Sequence, residues 1–154
     1  MRLHIASDHA GFELKSLLVL HLRATGAEVT DHGAETFDPL DDYPPVCLDC
    51  AEAVVADPGS LGIVIGGSGN GEQMAANKVR GVRAALVWSE ETAVLARQHN
   101  DANVISIGAR MHTPEEATRF VDAFLASAFS GDPRHRHRID QVSTYELSGL
   151  IDRN

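Results

Sequence analysis

Leu61-Gly62-Ile63-Val64-Ile65-Gly66-Gly67-Ser68-Gly69-Asn70-Gly71-Glu72 is an apolar run that breaks into a glycine-rich loop. Residues 61–65 read as a strand. Met74, Ala75, Ala76, Asn77 and Lys78 read as a helix that starts at about Glu72 and ends near Val79. Strand, glycine loop and helix make part of a βαβ unit, and the rest of the chain repeats the alternation.

Upstream, residues 3–7 read as a strand and 12–24 as a helix with Leu14, Leu17, Leu18 and Leu22 at helical spacing. Residues 28–31 give a second strand, and the polar, acidic stretch 32–43 a loop. Pro44-Pro45 opens a helix to about residue 56, closed by Asp57-Pro58-Gly59. Downstream, 82–88 is the fourth strand, and Ser89-Glu90-Glu91-Thr92 a capped start for a helix to about His99. Residues 104–107 form the fifth strand. Thr113-Pro114-Glu115-Glu116 caps a helix with Ala117, Phe120, Val121, Phe124 and Leu125 on one face. After Gly131, Ile139, Val142, Tyr145 and Leu147 suggest a last short helix that packs on a partner subunit. The alternation predicts an α/β fold with a parallel sheet covered on both faces.

The 154 residues suit one domain, and 44% hydrophobic with 23% charged content is ordinary for a soluble globular chain. A formal net charge of −9 argues against a nucleic-acid partner. No apolar run approaches the roughly 20 residues of a membrane span, and the N-terminus lacks a signal-peptide pattern, so a cytoplasmic location is expected. Cys47 and Cys50 form a C-x-x-C pair that fits buried packing better than redox or zinc chemistry, since a zinc site would need two more ligands.

Glycines let successive amides turn inward, so the 66–71 loop can present several donors to an anion. The following helix start adds unpaired N–H groups, and Glu72 sits at the rim of this nest. An oxyanion cradle beside a carboxylate base is what proton abstraction next to a carbonyl requires. A tight strand-to-helix turn or a generic phosphate loop would read similarly. No Gly-Lys-Ser/Thr follows, which excludes a Walker loop. A dinucleotide fingerprint fits poorly after a third strand.

Open parallel sheets bind ligands beyond the carboxyl ends of their strands. Asp8-His9-Ala10-Gly11 follows the first strand, the glycine loop the third, and Gly108-Ala109-Arg110 the fifth. Asp8 and His9 suit sugar hydroxyls, or proton transfer by His9, although Asp8 serves equally as a helix cap. His99-Asn100-Asp101 precedes the fifth strand and belongs at the opposite end of the sheet. A catalytic His99 would therefore serve another subunit's site; an exposed helix-terminal histidine is the plain alternative. Arg134 and Arg138, four apart in Arg134-His135-Arg136-His137-Arg138, share a helical face that could fork a phosphate dianion or remain a solvated charge run. His135 and His137 lack a third ligand for a metal. His4, His21 and His32 read as structural, and His112 has no evident partner.

Together, Ala6-Ser7-Asp8-His9-Ala10-Gly11-Phe12, the 66–72 loop, Ala75-Ala76-Asn77-Lys78, Arg97-Gln98-His99-Asn100 and the 134–138 run resemble the ribose/galactose isomerase family, in particular its type B ribose-5-phosphate isomerases. Many members carry a cysteine base where this chain has Gly66, and neither Cys47 nor Cys50 is expected near that point. The sequence looks like the actinobacterial-type subgroup, with a glutamate base at Glu72.

The resemblance implies a Rossmann-like three-layer αβα sandwich with a five-stranded parallel sheet. It also implies metal-free, cofactor-free interconversion of ribose 5-phosphate and ribulose 5-phosphate through a cis-enediolate, in the pentose phosphate pathway. On that basis His99 opens the furanose ring, and Glu72 moves the proton between C2 and C1. Ser68 and the amides of Gly67, Gly69, Asn70 and Gly71 hold the enediolate oxygen. Asp8, His9, Tyr43 and Asn100 contact sugar oxygens, and Arg110, Arg134 and Arg138, with His135, the phosphate. A homodimer with shared sites is implied, with pairing into tetramers as a variant, the segment from about 131 at the interface, and no nucleic-acid or membrane partner. A six-carbon sugar phosphate is the alternative substrate, and a non-catalytic phosphosugar- or nucleotide-binding module the alternative from another class.

Overall fold

The computed structural model describes residues 1–34 and 36–151; residue 35 of the expected loop and residues 152–154 of the expected domain lie outside the described residues. Five strands, β1 (Arg2–Ser7), β2 (Glu28–Asp31), β3 (Leu61–Gly66), β4 (Ala84–Leu86) and β5 (Val104–Gly108), alternate with helices α1 (Phe12–Ala24), α2 (Tyr43–Ala56), α3 (Asn70–Ala76), α4 (Glu90–Asn100), α5 (Pro114–Ala126) and α6 (Pro133–Ser148). All pairings are parallel, in the order β2-β1-β3-β5-β4.

Period-two alternation builds the two outer layers. Leu3, Ile5, Ile63, Ile65, Ile105 and Ile107 meet Leu14, Leu18 and Leu22 of α1 and Phe120, Val121 and Phe124 of α5 on one face. Ala6, Val64 and Val104 point the other way, onto Cys47, Cys50, Ala51 and Val54 of α2. This is the expected three-layer αβα arrangement, a five-stranded parallel sheet of Rossmann-like α/β class. Because β1 leads to β2 on one side and β3 lies on the other, the chain reverses direction across the sheet between β1 and β3. A crevice opens at the carboxyl ends of that pair.

The caps follow the sequence. Ser89 and Thr92 form a capping box on α4, and Thr113 and Glu116 one on α5 behind Pro114. Three expectations are corrected. The helix after the glycine loop begins at Asn70 and ends at Ala76, because Gly69, at φ 81°, makes the turn two residues earlier. The fourth strand is three residues long, an edge strand with Val82 and Val87 outside its ladder. The last helix is not short: Asp132 accepts the Arg134 amide, Pro133 opens the helix, and α6 runs 16 residues through the whole Arg/His cluster. On α1, Leu17 is 41% exposed, and Val19 takes its place in the core.

Candidate active site

At the β1/β3 crevice the chain builds its site around Glu72. The residue lies in the first turn of α3 and is only 4% exposed, so it is not at the rim of the glycine loop as expected. Its carboxyl folds back beneath the loop into the space left by Gly66, where any Cβ would collide with Glu72 Oε1 and Cδ. The glycine at the end of β3 is therefore the hole that the carboxyl fills. Burial raises the Glu72 pKa above that of an ordinary carboxyl; the amides of Glu72 and Gly69 pull it down, and the Asp8 charge pushes it up.

The loop above is held by its neighbours. Gly66 and Gly67 carbonyls accept from Ala109 and Arg110 amides at 2.8 and 3.1 Å, and the Gly69 carbonyl accepts from Ser106 Oγ at 2.7 Å. Ser68 Oγ accepts the Asn70 amide at 3.3 Å. The amides of Ser68 and Gly71 have no hydrogen-bond partner among the described residues, and both residues line the crevice. Tyr43, at the start of α2, lies so close over Gly71 that a Cβ there would sit 2.6 Å from its Cζ.

The other wall comes from the turn after β1. Asp8 caps a 3-10 turn over His9–Gly11 by accepting the Ala10 amide at 2.9 Å, and its buried carboxylate also faces the crevice. The cap reading and the site reading of Asp8 thus both hold. Asp41 takes the His9 backbone amide and ring Nδ1, each at 2.8 Å, and this pairing raises the His9 pKa. Asp8, His9, Tyr43, Gly67, Ser68, Gly71, Glu72 and Arg110, with Ala10 and Met111, line a cavity of about 500 Å³. Ligand atoms of Asp8, His9 and Asp41 lie within 4.8 Å of one another, a set that could hold a cation.

Asp41 and Met111 were not singled out in the sequence. The signal for Asp41 was its place just before Tyr43-Pro44-Pro45: a helix start that brings Tyr43 over Gly71 brings the preceding acidic loop to the end of β1. The thiol of Cys47 was not expected near the base either. Burial, then the charges of Glu72 and Asp8, raise its pKa, which places this buried α2 residue under the crevice as a neutral packing group.

His99, Asn100, Arg134, His135 and Arg138 are not in this cavity. His99 and Asn100 end α4 at the amino edge of the sheet, and the length of β5, about 16 Å for five residues at ~3.3 Å each, separates that edge from Glu72. There the His99 ring packs on the His135 ring with centroids 4.2 Å apart. His135 is buried, with Nδ1 2.9 Å from Ser130 Oγ. A groove of about 630 Å³ along β4 and α6, lined by Leu86, Trp88, Asn100, Arg138, Ile139 and Val142, is larger than the Glu72 cavity but has no carboxylate or histidine in its lining.

Four of the remaining histidines have local partners. His4 Nδ1 lies 2.8 Å from His32 Nε2, His21 bonds Asp122 at 2.8 Å, and His112 packs edge-on against Phe120. Cys50 is buried, and its thiol pKa is pushed up to about 12 by burial. No described helix is long and apolar enough to cross a membrane.

Comparison with known proteins agrees with this fold. The family described as Ribose/Galactose Isomerase matches residues 3–142. The ribose-5-phosphate isomerase B of Mycolicibacterium paratuberculosis is 57% identical over 146 residues, covering 95% of this chain and 92% of the relative. That of Mycobacterium tuberculosis is 56% identical, covering 95% and 90%. The crystal structure of the Mycoplasma genitalium enzyme with bound ribulose-5-phosphate superposes with a TM-score of 0.91 at 46% identity, covering 96% of this chain and 97% of the other. With a match over nearly its whole length and a buried carboxyl set in the crevice of the expected fold, the chain belongs to the ribose/galactose isomerase family.

Proposed function

We propose that this protein is the isomerase that interconverts D-ribose 5-phosphate and D-ribulose 5-phosphate, with Glu72 as the group that carries the proton. The relatives named above and the sugar bound in the Mycoplasma structure support a five-carbon over a six-carbon substrate. The observation that carries the assignment of the base is the Glu72 carboxyl itself: buried, raised in pKa, and seated in the Gly66 hole, in a crevice it shares with the Ser68 and Gly71 amides that lack partners among the described residues.

The steps follow from that arrangement. His99 assists transfer of a proton to the ring oxygen as the furanose opens to the aldehyde. The Glu72 carboxylate takes the C2 proton, and charge moves onto the C1 oxygen to form the cis-enediolate. The amides of Ser68 and Gly71 and the Ser68 hydroxyl stabilise that charge as donors already in place. The C2 hydroxyl proton passes to the C1 oxygen, and Glu72 returns its proton to C1. Bonds and protons balance without an oxidant or a metal. A base with a raised pKa is better matched to accepting a proton near neutral pH than an ordinary carboxylate. Asp8, His9 and Tyr43 orient the sugar oxygens. Arg110, with Arg134 and Arg138, holds the phosphate, which supplies remote binding energy for aligning C1 and C2.

His99, Asn100, Arg134 and Arg138 reach that chemistry only from a second copy of the chain. Their position at the far edge of the sheet supports a homodimer in which this edge covers the crevice of the partner. The groove along β4, with Trp88 61% and Val142 63% exposed, supports burial of α6 and the segment after residue 131 in that interface.

The test is conversion of ribose 5-phosphate by chelator-treated protein, beside Glu72→Gln and His99→Ala. Treated protein should turn over and Glu72→Gln should not, while still binding the sugar phosphate; loss of activity on chelation would bring the Asp8/His9/Asp41 set into the reaction. Mixing the two inactive variants should restore turnover, because a hybrid dimer holds one site with both groups intact. A mixture as dead as its parts would overturn the shared site.

A further inference from the structure

Asp101, directly after His99 and Asn100, is the one residue other than glycine with a positive φ among the described residues, at φ 44° and ψ 44°. Such a left-handed helix end is ordinarily glycine, and a strained residue persists there only when its surroundings over-determine it. Two arginines do so. Arg83, at the entry to β4, donates Nε to the Asn100 carbonyl at 2.9 Å, and Nη2 to the Asp101 carbonyl at 2.7 Å and to Oδ2 at 3.3 Å. Arg97, one turn back on α4, donates Nη1 to Asp101 Oδ1 at 2.8 Å and to the Ala102 carbonyl at 2.7 Å. Three successive carbonyls and one carboxylate are thus held by two guanidiniums. Arg97 is itself packed over the Phe124 ring, 5.8 Å from its centroid.

The side chains of His99 and Asn100 take no hydrogen bond among the described residues, and both are exposed. With no side-chain hydrogen bond among the described residues, their direction is left to the backbone of this turn and, for His99, to the His135 ring. We infer that Arg83 and Arg97, acting through the strained Asp101, are positioning residues that aim His99 and Asn100 at the furanose ring of the sugar. The inference rests on the ring-opening role of His99 proposed above. A carboxylate at the left-handed position accepts backbone strain and adds one contact to each arginine, whereas glycine would keep only the carbonyl contacts.

Ribose 5-phosphate is cyclic and must be opened, but ribulose 5-phosphate, whose C5 oxygen carries the phosphate, cannot close a furanose ring and is acyclic. Exchange of its C1 proton with D2O therefore needs Glu72 but not ring opening. The experiment compares turnover of ribose 5-phosphate with deuterium uptake at C1 of ribulose 5-phosphate, for the intact protein, His99→Ala, Arg97→Met, Asp101→Ala and Asp101→Asn. A misplacement on the order of 1 Å costs about 10²-fold. Arg97→Met and Asp101→Ala should lose about that much turnover while keeping deuterium uptake within about twofold. Asp101→Asn keeps an acceptor and tolerates the left-handed backbone, so it should fall between, which preserves the test if Asp101→Ala does not fold. Parallel loss of both rates in Arg97→Met and Asp101→Asn would make the clamp merely structural, and loss of neither would overturn it too. If His99→Ala separates the rates and the clamp variants do not, only the clamp falls. If His99→Ala lowers both alike, the ring-opening role fails and the clamp's role with it.

Discussion

Placing one methyl group at Gly66 should disable this enzyme without replacing a reacting group. In the native fold a Cβ on residue 66 would overlap Glu72 Oε1 and Cδ and lie 2.8 Å from Cγ. Restoring ordinary contact at ~3.5 Å requires the carboxyl to retreat by roughly 1 to 2 Å. A displacement of that size at a reacting group costs about 10²-fold or more in rate. The forced overpacking should cost about 1–3 kcal/mol of stability, since Gly66 is buried at the end of a central strand. The assay is kcat for ribose 5-phosphate with Gly66→Ala, alongside thermal unfolding of Gly66→Ala, Glu72→Ala and the double variant. The double variant should regain stability relative to Gly66→Ala, because removing the carboxyl vacates the hole, yet remain inactive. Wild-type kcat in Gly66→Ala, or a double variant whose stability losses simply add, would refute the claim that Gly66 is kept empty for Glu72.

Asp41 keeps the His9 imidazolium charged to higher pH, so sugar-phosphate affinity should weaken as pH rises through the raised His9 pKa. Asp41→Asn should move that weakening to lower pH, and an identical profile in titration calorimetry would remove His9 from the binding site. The half-buried His32 has its pKa lowered by burial and by His4, 2.8 Å away, with Asp49 and Asp31 opposing. A depressed folded-state pKa contributes stability that is present above 6.5 and lost as pH falls below it. The melting temperature should therefore drop between pH 7.5 and 5.5, and by less in His32→Gln; equal drops in both would contradict the pair. Cys47 and Cys50 are buried with raised thiol pKa values. Alkylation should thus proceed only at the unfolding rate and leave turnover of the folded enzyme unchanged, whereas rapid inactivation would expose a reactive thiol.

Glu72, Asp8 and His9 were legible as neighbours in one crevice because parallel α/β sheets bring the ends of their strands together, and those ends can be read from apolar periodicity and glycine loops. The 16-residue extent of α6 was less so: its first turns, Arg134 to Arg138, are polar on every side, and only Ile139, Val142, Tyr145 and Leu147 beyond them give a period to count. Asp41 was hidden for another reason. A loop has no periodicity, and one aspartate among Asp38, Asp41 and Asp42 becomes functional only when α2 docks on the sheet. The strained Asp101 and its arginines were similarly invisible, since Arg83, Arg97 and Asp101 are far less informative as letters than as three groups meeting at one turn.

By itself the amino-acid order determined the alternation of elements, the parallel sheet, the family resemblance and the presence of a carboxylate next to an amide-rich loop. All of these are local or periodic properties of a chain. Tertiary structure decided that Glu72 lies under the loop in the Gly66 hole, that Asp41 holds His9, and that Arg83 and Arg97 meet at Asp101. Those facts depend on which surfaces pack together and how much water they exclude, and no spacing along the chain encodes them.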